Sequence, residues 1–399
     1  MQQHLYLGRQ PIMDQWYEVI AYELLYQAEG ASQQDADGLA AQGLVAGLVD
    51  IGLDKISGHK PVFINLPASL LQGDVPALLP ADKVGIEIGQ NIKLDQTIVE
   101  ACKALKQQGF TLLLDGYRHN PDVESILELV DYVKINFQSG EDMAEQLSVI
   151  RRYPVKLLAK KVETLEEHNR AKALGIHYYQ GYFFCKPERM ENETLPDSKL
   201  AILRALQQVM EAEAIEDIED VIKQDINLSY RLLKYINSAA FGMRREIESV
   251  QQALSLLGLN NIRRWLSILA LASLGEHKPL ELVRMAMLRG KILDGVANSM
   301  KESRSSDYFI LGMFSLLDAL LDQSMDQALS NIALPSDIRE GLLVEGSQLG
   351  LLLDMIRSLE KGEWAKVDAY CKKNSLSCED ISSIYTEAVR WTDEFAAQL

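Results

Sequence analysis

Four acidic or amide residues lie in apolar runs of the sequence, and their side chains could hold a divalent cation. They are Glu23 in AYELLYQ, Asn65 in VFINLP, Glu87 in VGIEIG and Asp115 in TLLLDGY. Each run has the composition of a buried strand. Carboxylate and amide oxygens on successive strands can converge on a hard cation such as Mg²⁺ or Mn²⁺. The pattern therefore indicates metal chemistry with oxygen ligands, provided that the strands lie side by side.

The first half of the chain has the pattern of a fold that would place these strands side by side. As far as about residue 188, short β-rich runs alternate with amphipathic segments such as LDQTIVEACKALKQQG, and an earlier run, HLYLG, is a candidate for a further strand. Repeated β-then-α units predict a parallel sheet, and seven or eight of them fit a closed (β/α)8 barrel better than an open sheet. Polar residues at the carboxyl ends of barrel strands usually serve chemistry, and Lys134 and Gln180 also lie near such ends.

The second half of the chain has a helical period. After about residue 197, segments such as LAILRALQQVMEAEA carry apolar residues at the spacing of an all-helical domain. The polar stretch ERMENETLPDSK, residues 188–199, contains Pro196 and is the expected boundary. We therefore predict a barrel over residues 1–190, a linker over 191–198 and a helical domain over 199–399.

Composition and charge argue against several classes of protein. The 399 residues carry a net charge of −17, and a field of that sign repels the phosphates of nucleic acids and anionic lipids. No apolar run approaches the roughly 20 residues that span a bilayer, and the first residues lack the order of a secretion signal. The four cysteines have no CxxC spacing and are interpreted as reduced thiols. We expect a cytoplasmic protein without nucleic-acid or membrane partners.

The first half of the chain resembles an EAL domain. AYELLYQ is similar to the family's signature, INLPASLL to its asparagine motif, VGIEIGQ to its next glutamate motif, LLLDGY to its aspartate pair, YVKIN to its lysine motif, LLAKKVET to its final glutamate motif and YYQGYFFCKP to its closing glutamine motif. The resemblance covers about residues 1–190 and implies a TIM-like barrel that hydrolyses the bacterial second messenger cyclic di-GMP with two metal ions. The residues that match the family's site are Glu23, Asn65, Glu87, Asp115, Lys134, Glu163 and Gln180.

Five positions depart from the family's pattern. The arginine that binds a phosphate of the dinucleotide falls on Gln27, and the second aspartate of the pair, which serves the second metal, falls on Gly116. The aspartate after the lysine falls on Asn136, and the glutamate that starts the final glutamate motif falls on Lys160. A further glutamate, which steadies the loop of the third motif, falls on Gln90. The matched site therefore reads as vestigial, with no catalytic residue, no metal and no other cofactor expected.

The departures have a physical consequence for hydrolysis. Two-metal hydrolysis needs enough negative charge to hold two dications about 4 Å apart and to lower the pKa of a bridging water. Gly116 supplies no oxygen, Asn136 is neutral, and Lys160 adds a positive charge where a ligand should be. A buried ammonium beside the retained carboxylates would repel metal and pair with them instead. We hypothesise that Lys160, with Lys134, acts as an internal cation in place of the metals.

The helical half resembles an HDOD domain, a relative of the HD metal phosphohydrolases. The stretch INLSYRLLKYINSAAFGMRREIESVQQALSLLGLNNIRRWL carries the resemblance, which spans about residues 197–390. An HD hydrolase needs several histidines and an adjacent His-Asp pair. This half has one histidine, His277, which we interpret as a surface loop residue, and the chain has no His-Asp dipeptide. The helical domain is therefore predicted not to be a metal hydrolase, and Trp265, Trp364 and Trp391 are interpreted as core or interface anchors.

Three functions follow from these patterns. The leading interpretation is a catalytically inactive bacterial signalling protein whose two domains bind other signalling proteins, with roles in motility, attachment or stress implied by the resemblance. A second is a cyclic di-GMP receptor that binds without cleaving, although the loss of the phosphate-binding arginine argues against cyclic di-GMP binding. A third is a residual cyclic di-GMP phosphodiesterase. The sequence also leaves open whether the protein forms a homo-oligomer.

Overall fold

A computed structural model gives the fold of most of the chain. Residues 191–194 of the predicted linker lie outside the residues that it describes. The described residues are 5–28, 48, 52–73, 75–117, 121–137, 143–187, 195–237, 246–330 and 332–397.

The chain divides into two compact units that do not follow one another along the sequence. The first unit combines Met1–Lys186 with Asp354–Arg390, and the second combines Pro187–Leu353 with Trp391–Leu399. The predicted helical domain, 199–399, includes the late segment that the structure groups with the first unit. The contacts of that segment, described below, give the physical reason.

The first unit contains a closed barrel of eight strands in chain order, which confirms the predicted fold. The strand β1 is antiparallel to both of its neighbours, β2 and β8, and every other neighbouring pair is parallel. The strands are β1 Leu5–Asp14, β2 Val19–Ala28, β3 Val62–Leu66, β4 Val84–Ile88, β5 Thr111–Asp115, β6 Tyr132–Asn136, β7 Lys156–Lys160 and β8 Tyr178–Gln180.

The first strand departs from the repeated β-then-α pattern. The run HLYLG contributes to β1, which continues to Asp14 and returns directly as β2. The Asp14 carboxylate closes this turn by accepting hydrogen bonds from the backbone amides of Trp16 (2.9 Å) and Glu18 (3.0 Å). Strands joined by a tight turn run in opposite directions, so the parallel pairing begins only between β2 and β3.

Helices follow most of the later strands, and their first turns show why they begin where they do. The Asp95 carboxylate accepts from the amides of Thr97 (3.1 Å) and Ile98 (3.2 Å). Thr164 and Glu167 cap one another reciprocally, which satisfies two amides that a helix start leaves without partners. The helices of this part are α1 Asp54–Ser57, α2 Ala68–Leu71, α3 Gln96–Gln107, α4 Pro121–Leu127, α5 Met143–Ile150 and α6 Leu165–Ala173.

The barrel interior has an apolar layer directly beneath its polar end. Side chains two residues apart on a strand point to the same face, so each apolar residue supports the polar residue that follows it. Ile12 of β1 completes the apolar cluster, in which every member is at most 4% exposed. The apolar members and the polar residues two positions later are Ala21 and Glu23, Phe63 and Asn65, Leu113 and Asp115, and Leu158 and Lys160.

The second unit is helical, as predicted. Helices α11 and α12 approach closely because glycines face each other, and a Cβ added at Gly312 would lie 2.4 Å from the backbone nitrogen of Gly290. Among the described residues, no helix is long and apolar enough to cross a bilayer. The helices are α7 Asp197–Glu211, α8 Glu216–Gln224, α9 Ile226–Ile236, α10 Val250–Leu274, α11 Leu280–Ser299, α12 Ser305–Phe314, α13 Leu317–Leu321, α14 Met325–Leu329 and α15 Ser336–Leu343.

The late segment of the first unit comes from three further helices: α16 Gln348–Lys361, α17 Trp364–Lys373 and α18 Cys378–Ala396. Contacts between these helices and β1 explain why the late segment, Asp354–Arg390, belongs with the barrel. The Tyr6 ring stacks on Trp364 with centroids 5.8 Å apart and planes 10° from parallel. The backbone amide of Arg9 donates to the Tyr385 hydroxyl at 2.8 Å, within the buried part of the unit. Each contact joins β1 to a helix more than 350 residues later in the chain.

Candidate functional site

Polar residues from β2 to β8 come together at one end of the barrel. The parallel register aligns Asn65 with Glu87, Asp115 with Lys134, and Lys160 with Gln180. Because neighbouring strands end at the same level, residues far apart in sequence become neighbours in space. Glu23 joins them from β2 through the hydrogen bonds described next.

Lys134 is the centre of this group. Its side chain is 1% exposed, and its Nζ lies 2.9 Å from Glu23 Oε2 and 2.6 Å from Glu87 Oε2. Gln180 Nε2 donates to the same oxygen of Glu23 and to Gln10 Oε1 at 2.9 Å. One ammonium therefore lies between the buried carboxylate of Glu87 and the partly buried one of Glu23, which leaves one negative charge in excess if both are ionised.

The two carboxylates respond to this environment in opposite directions. Burial and the charge of Glu23 raise the pKa of Glu87 to about 8, against the opposing effect of Lys134. Burial alone would raise the pKa of Glu23, but the Lys134 charge and the hydrogen bond from Gln180 hold that pKa below its ordinary value. Burial alone would lower the pKa of Lys134, yet the charges of Glu23 and Glu87 raise it above its ordinary value. These shifts favour a proton on Glu87 beside an ion pair of Glu23 and Lys134.

A second ion pair lies at the ends of β5 and β7. Lys160 Nζ is 2.5 Å from Asp115 Oδ1 and 2.8 Å from Asp115 Oδ2, and the two side chains are only 15% and 11% exposed. Both oxygens of the carboxylate therefore accept from one ammonium. The lysine stands where the family resemblance leads one to expect a glutamate, so a ligand position carries a cation.

Two of the departures from the family's pattern lie against each other. Gly116 has a φ of +68°, and a Cβ added there would lie 2.8 Å from both Cβ and Oε1 of Gln90. The Gln90 side chain thus occupies the space where a second carboxylate would begin. An L side chain at Gly116 would also be strained by the left-handed backbone.

Asn65 and Glu163 lie at the edge of the group. Asn65 is exposed, and its backbone carbonyl accepts a hydrogen bond from the Tyr26 hydroxyl. Glu163 follows β7, and its backbone amide donates to Glu167 Oε2 at 2.7 Å. With the described residues, the Glu163 carboxylate forms no hydrogen bond or ion pair. Four of the seven matched residues, Glu23, Glu87, Lys134 and Gln180, are therefore joined by hydrogen bonds. Asp115 bonds Lys160 beside them, and Asn65 and Glu163 stand apart.

The remaining sequence assignments fall at separate places. Gln27 lies on β2 in register with Tyr6, and Asn136 ends β6 in register with Lys160. His277 is exposed in the turn after α10, as the sequence predicted.

The residues of this end do not fit the two divalent cations that the family resemblance implies. Within the part of the chain that the structure describes, no three His, Cys, Asp or Glu side chains form a group that could share a metal ion. Glu23, Glu87 and Asp115 each bond a lysine ammonium instead. In this arrangement each of the three acidic side chains is bonded to an ammonium, so the group balances charge internally.

A cleft of about 530 Å³ lies over this end of the barrel. Glu23, Asn65 and Asp115 line one part of it, and Lys361 and Trp364 of the late helical segment line another. The volume is in the range of small-molecule sites. Nothing in the sequence pointed to this second wall, because the pattern placed Trp364 in a separate helical domain and no charge or period links it to the strand ends.

Two family profiles match the chain in sequence order. The EAL domain profile matches residues 39–187, and the HDOD domain profile matches residues 193–332. The EAL match begins after the hairpin that carries Glu23. The HDOD match ends before the late segment, Asp354–Arg390, that packs with the barrel.

Solved structures and curated proteins include chains that are similar to this one. Two solved structures resemble part of the chain: an EAL domain protein from Listeria monocytogenes (18% identity, TM-score 0.36, 45% of this chain and 87% of that one) and Klebsiella pneumoniae BlrP1 in a complex with calcium and cyclic di-GMP (22%, 0.38, 46% and 55%). The uncharacterized protein YuxH of Bacillus subtilis is 30% identical over 404 residues, which cover 97% of this chain and 98% of YuxH. The cyclic di-GMP phosphodiesterase CdgJ of Vibrio cholerae is 30% identical over 400 residues, 98% of this chain and 92% of CdgJ. The chain therefore belongs to the family of proteins in which an EAL domain is followed by an HDOD domain.

Proposed function

We propose that this chain is a bacterial cytoplasmic protein of cyclic di-GMP signalling that does not hydrolyse the dinucleotide and acts by binding other signalling proteins. The observation that carries this proposal is the bonding of Lys160 Nζ to both oxygens of Asp115, at 2.5 and 2.8 Å. An ammonium in that place neutralises the carboxylate and repels a dication. With Lys134 bonded to Glu23 and Glu87, the acidic side chains of Glu23, Glu87 and Asp115 each have a lysine partner.

A second candidate function is hydrolysis of cyclic di-GMP. It is favoured by the 30% identity to CdgJ, whose name describes a cyclic di-GMP phosphodiesterase. The cleft of about 530 Å³ beside Glu23 and Asp115 gives either function a place for a ligand. Binding of cyclic di-GMP without cleavage is a third possibility. One experiment distinguishes the proposed function, hydrolysis and binding without cleavage.

The test uses the purified full-length chain with cyclic di-GMP, in the presence of Mg²⁺ or Mn²⁺. Chromatography measures the linear product, and isothermal titration calorimetry measures binding. The proposal expects no product. Turnover that disappears in Glu23→Gln, a change that keeps a hydrogen-bonding side chain at that position, would establish hydrolysis instead. Binding with a Kd below about 10 μM and no product would identify a receptor.

A matched pair of variants tests the reason for inactivity. Lys160→Glu removes the ammonium from Asp115 and adds a carboxylate, whereas Lys160→Gln removes the charge alone. We expect calorimetry to detect Mn²⁺ binding to Lys160→Glu and weaker binding, or none, to the original chain. Equal Mn²⁺ affinity in the original chain and both variants would mean that Lys160 does not stand in place of a metal.

The signalling role itself is tested in cells. In a strain without this gene, Glu23→Gln should restore the lost phenotype as fully as the original chain, because the proposed role needs no chemistry at the barrel end. Failure of this variant, with normal protein levels and a changed cellular cyclic di-GMP content, would favour the phosphodiesterase.

A further inference from the structure

The helical unit has a cavity of about 280 Å³ on one side of helix α9. We name it the α9 cavity. Its wall combines exposed polar side chains of α9 with buried apolar ones from α10 and α18. The lining residues are Asn227, Tyr230, Arg231, Lys234, Tyr235, Trp265, Leu269 and Phe395.

The cations of the α9 cavity are available to a ligand. Arg231 and Lys234 are exposed on α9, and neither forms an ion pair with a residue that the structure describes. Among the described residues that line the α9 cavity, none carries a carboxylate. In a chain with a net charge of −17, a cavity lined by two unpaired cations and no acid marks a place that attracts an anion.

An adjoining cavity of about 250 Å³ has a different charge pattern, because the acid Glu394 lines it together with two cations. The two cavities share Tyr235, Trp265 and Phe395 as a common wall. The second cavity adds Arg264 and Lys291, which both pair with one carboxylate, Asp294, at 2.7 and 3.6 Å. Among the described residues, Arg264 Nε is buried and has no hydrogen-bond acceptor.

The aromatic side chains of the α9 cavity offer a flat surface beside the cations. Tyr230 is 64% exposed, and Ile226, one turn earlier on the same helix, is 87% exposed. The Tyr235 ring stacks on Trp265 with centroids 6.1 Å apart and planes 21° from parallel. An exposed ring next to a cavity is available for stacking on a planar group, and aromatic surfaces accept any nucleobase.

We propose that the α9 cavity binds a nucleoside monophosphate, with the phosphate on Arg231 and Lys234 and the base against Tyr230 and the Tyr235–Trp265 wall. A simple anion would not need the rings, and an apolar ligand would not need the cations. A long nucleic acid would need a continuous basic path, which the strongly acidic chain opposes. The proposal concerns the second unit and does not depend on whether the barrel hydrolyses cyclic di-GMP.

The experiment titrates the full-length chain with AMP and GMP by calorimetry, and with guanosine and inorganic phosphate as half-ligands. The expected result is binding of at least one nucleotide, with each half-ligand at least about tenfold weaker, because the site needs both parts. Absence of nucleotide binding at about 1 mM would overturn the proposal. So would binding of single-stranded RNA by a chain that binds neither nucleotide.

Surface variants locate the binding without disturbing the core. The double variant Arg231→Gln/Lys234→Gln should weaken nucleotide binding at least about tenfold, and Tyr230→Ala should weaken it by a smaller factor. The matched control, Lys103→Gln/Arg204→Gln, removes one lysine and one arginine charge from exposed helix faces elsewhere and should change affinity less than about twofold. Equal losses in both double variants would overturn the assigned position. Loss of nucleotide binding in Glu23→Gln would place the ligand in the barrel cleft and also overturn it.

Discussion

The barrel end and the α9 cavity both have charged side chains beside a cleft, but among the described residues the charges are paired at the first and unpaired at the second. At the barrel end, two lysines bond three carboxylates. At the α9 cavity, Arg231 and Lys234 have no ion-pair partner among the described residues and no acid lines the wall. The first arrangement pairs its charges internally, whereas the second leaves two cations for a ligand. A cluster of charged side chains therefore indicates a binding site only if those side chains have no partner of opposite charge within the protein.

The physical origin of the difference lies in the elements that carry the charges. Barrel strands place their ends side by side, so opposite charges from separate strands are forced together and buried. The helix α9 carries its charges on an exposed face, where water solvates them and none of the described residues supplies a counter-ion. Four substitutions test how far this contrast extends.

The largest effect is expected at Lys134. Lys134→Met leaves Glu23 and Glu87 buried without their common cation, and removing one partner from a buried ion pair costs about 3–5 kcal/mol of the free energy of unfolding. Urea denaturation followed by circular dichroism measures it. Lys83→Met, which breaks a half-exposed pair with Asp54, is the control and should have little effect. A similar small change for both would show that the barrel group is not a stabilising cluster.

The next effect is a dependence on pH that comes from Glu87. A folded-state pKa of about 8, above the ordinary 4.5, means that its contribution to stability is complete below about pH 4.5 and is lost as pH rises through 8. The difference in stability between the original chain and Glu87→Gln should therefore fall between pH 5 and 9, by on the order of 4 kcal/mol. Thermal melts across this range measure it. A constant difference would mean that Glu87 stays ionised beside Lys134.

A smaller loss is expected in the helical unit. Arg264→Gln removes the 2.7 Å bond to Asp294, whose side chain is 4% exposed, but Lys291 remains 3.6 Å away. We expect a loss of about 1–2 kcal/mol in urea denaturation because the carboxylate keeps one cation. A loss as large as that of Lys134→Met would remove the proposed contrast between the two regions.

The smallest effect is expected at the surface of the same unit. Arg304 pairs with Asp337 at 2.6 Å, but the two side chains are 51% and 47% exposed. Solvent screens such a pair, so Arg304→Gln should cost less than about 1 kcal/mol in the same denaturation experiment. A larger loss would show that exposure alone does not determine how much an ion pair contributes to the free energy of unfolding of this protein.

Much of the barrel site was accessible from the sequence because strand residues follow a fixed pattern. Glu23 and Lys134 are 111 positions apart, yet their places at strand ends were sufficient to predict that they meet. The pairing of Lys160 with a retained carboxylate also followed, since a lysine at a ligand position must find a counter-ion when it is partly buried.

Other features had no signal in the sequence. The contact of Gln90 with Gly116 depends on the path of two loops, which no period or charge pattern encodes. The antiparallel direction of β1 could not be predicted, because an isolated apolar run does not show the direction in which its strand will pair. The packing of Tyr6 with a helix 362 positions later, where its hydroxyl donates to Asp368 at 3.4 Å, joins segments with no related pattern at all.

The grouping of the late helical segment with the barrel makes most of the second unit, Pro187–Leu353, an insertion within the first, and the second unit also takes the last residues, Trp391–Leu399. The backbone passes between the units after Lys186, after Leu353 and after Arg390. A protease that cuts once near residue 190 would therefore yield two pieces that stay associated, because the larger piece still contributes Trp364 and Tyr385 to the barrel unit. Denaturing electrophoresis would show two bands and size-exclusion chromatography a single peak. An amino-terminal half expressed alone would lack part of its own structure, and adding the remainder of the chain would complement it.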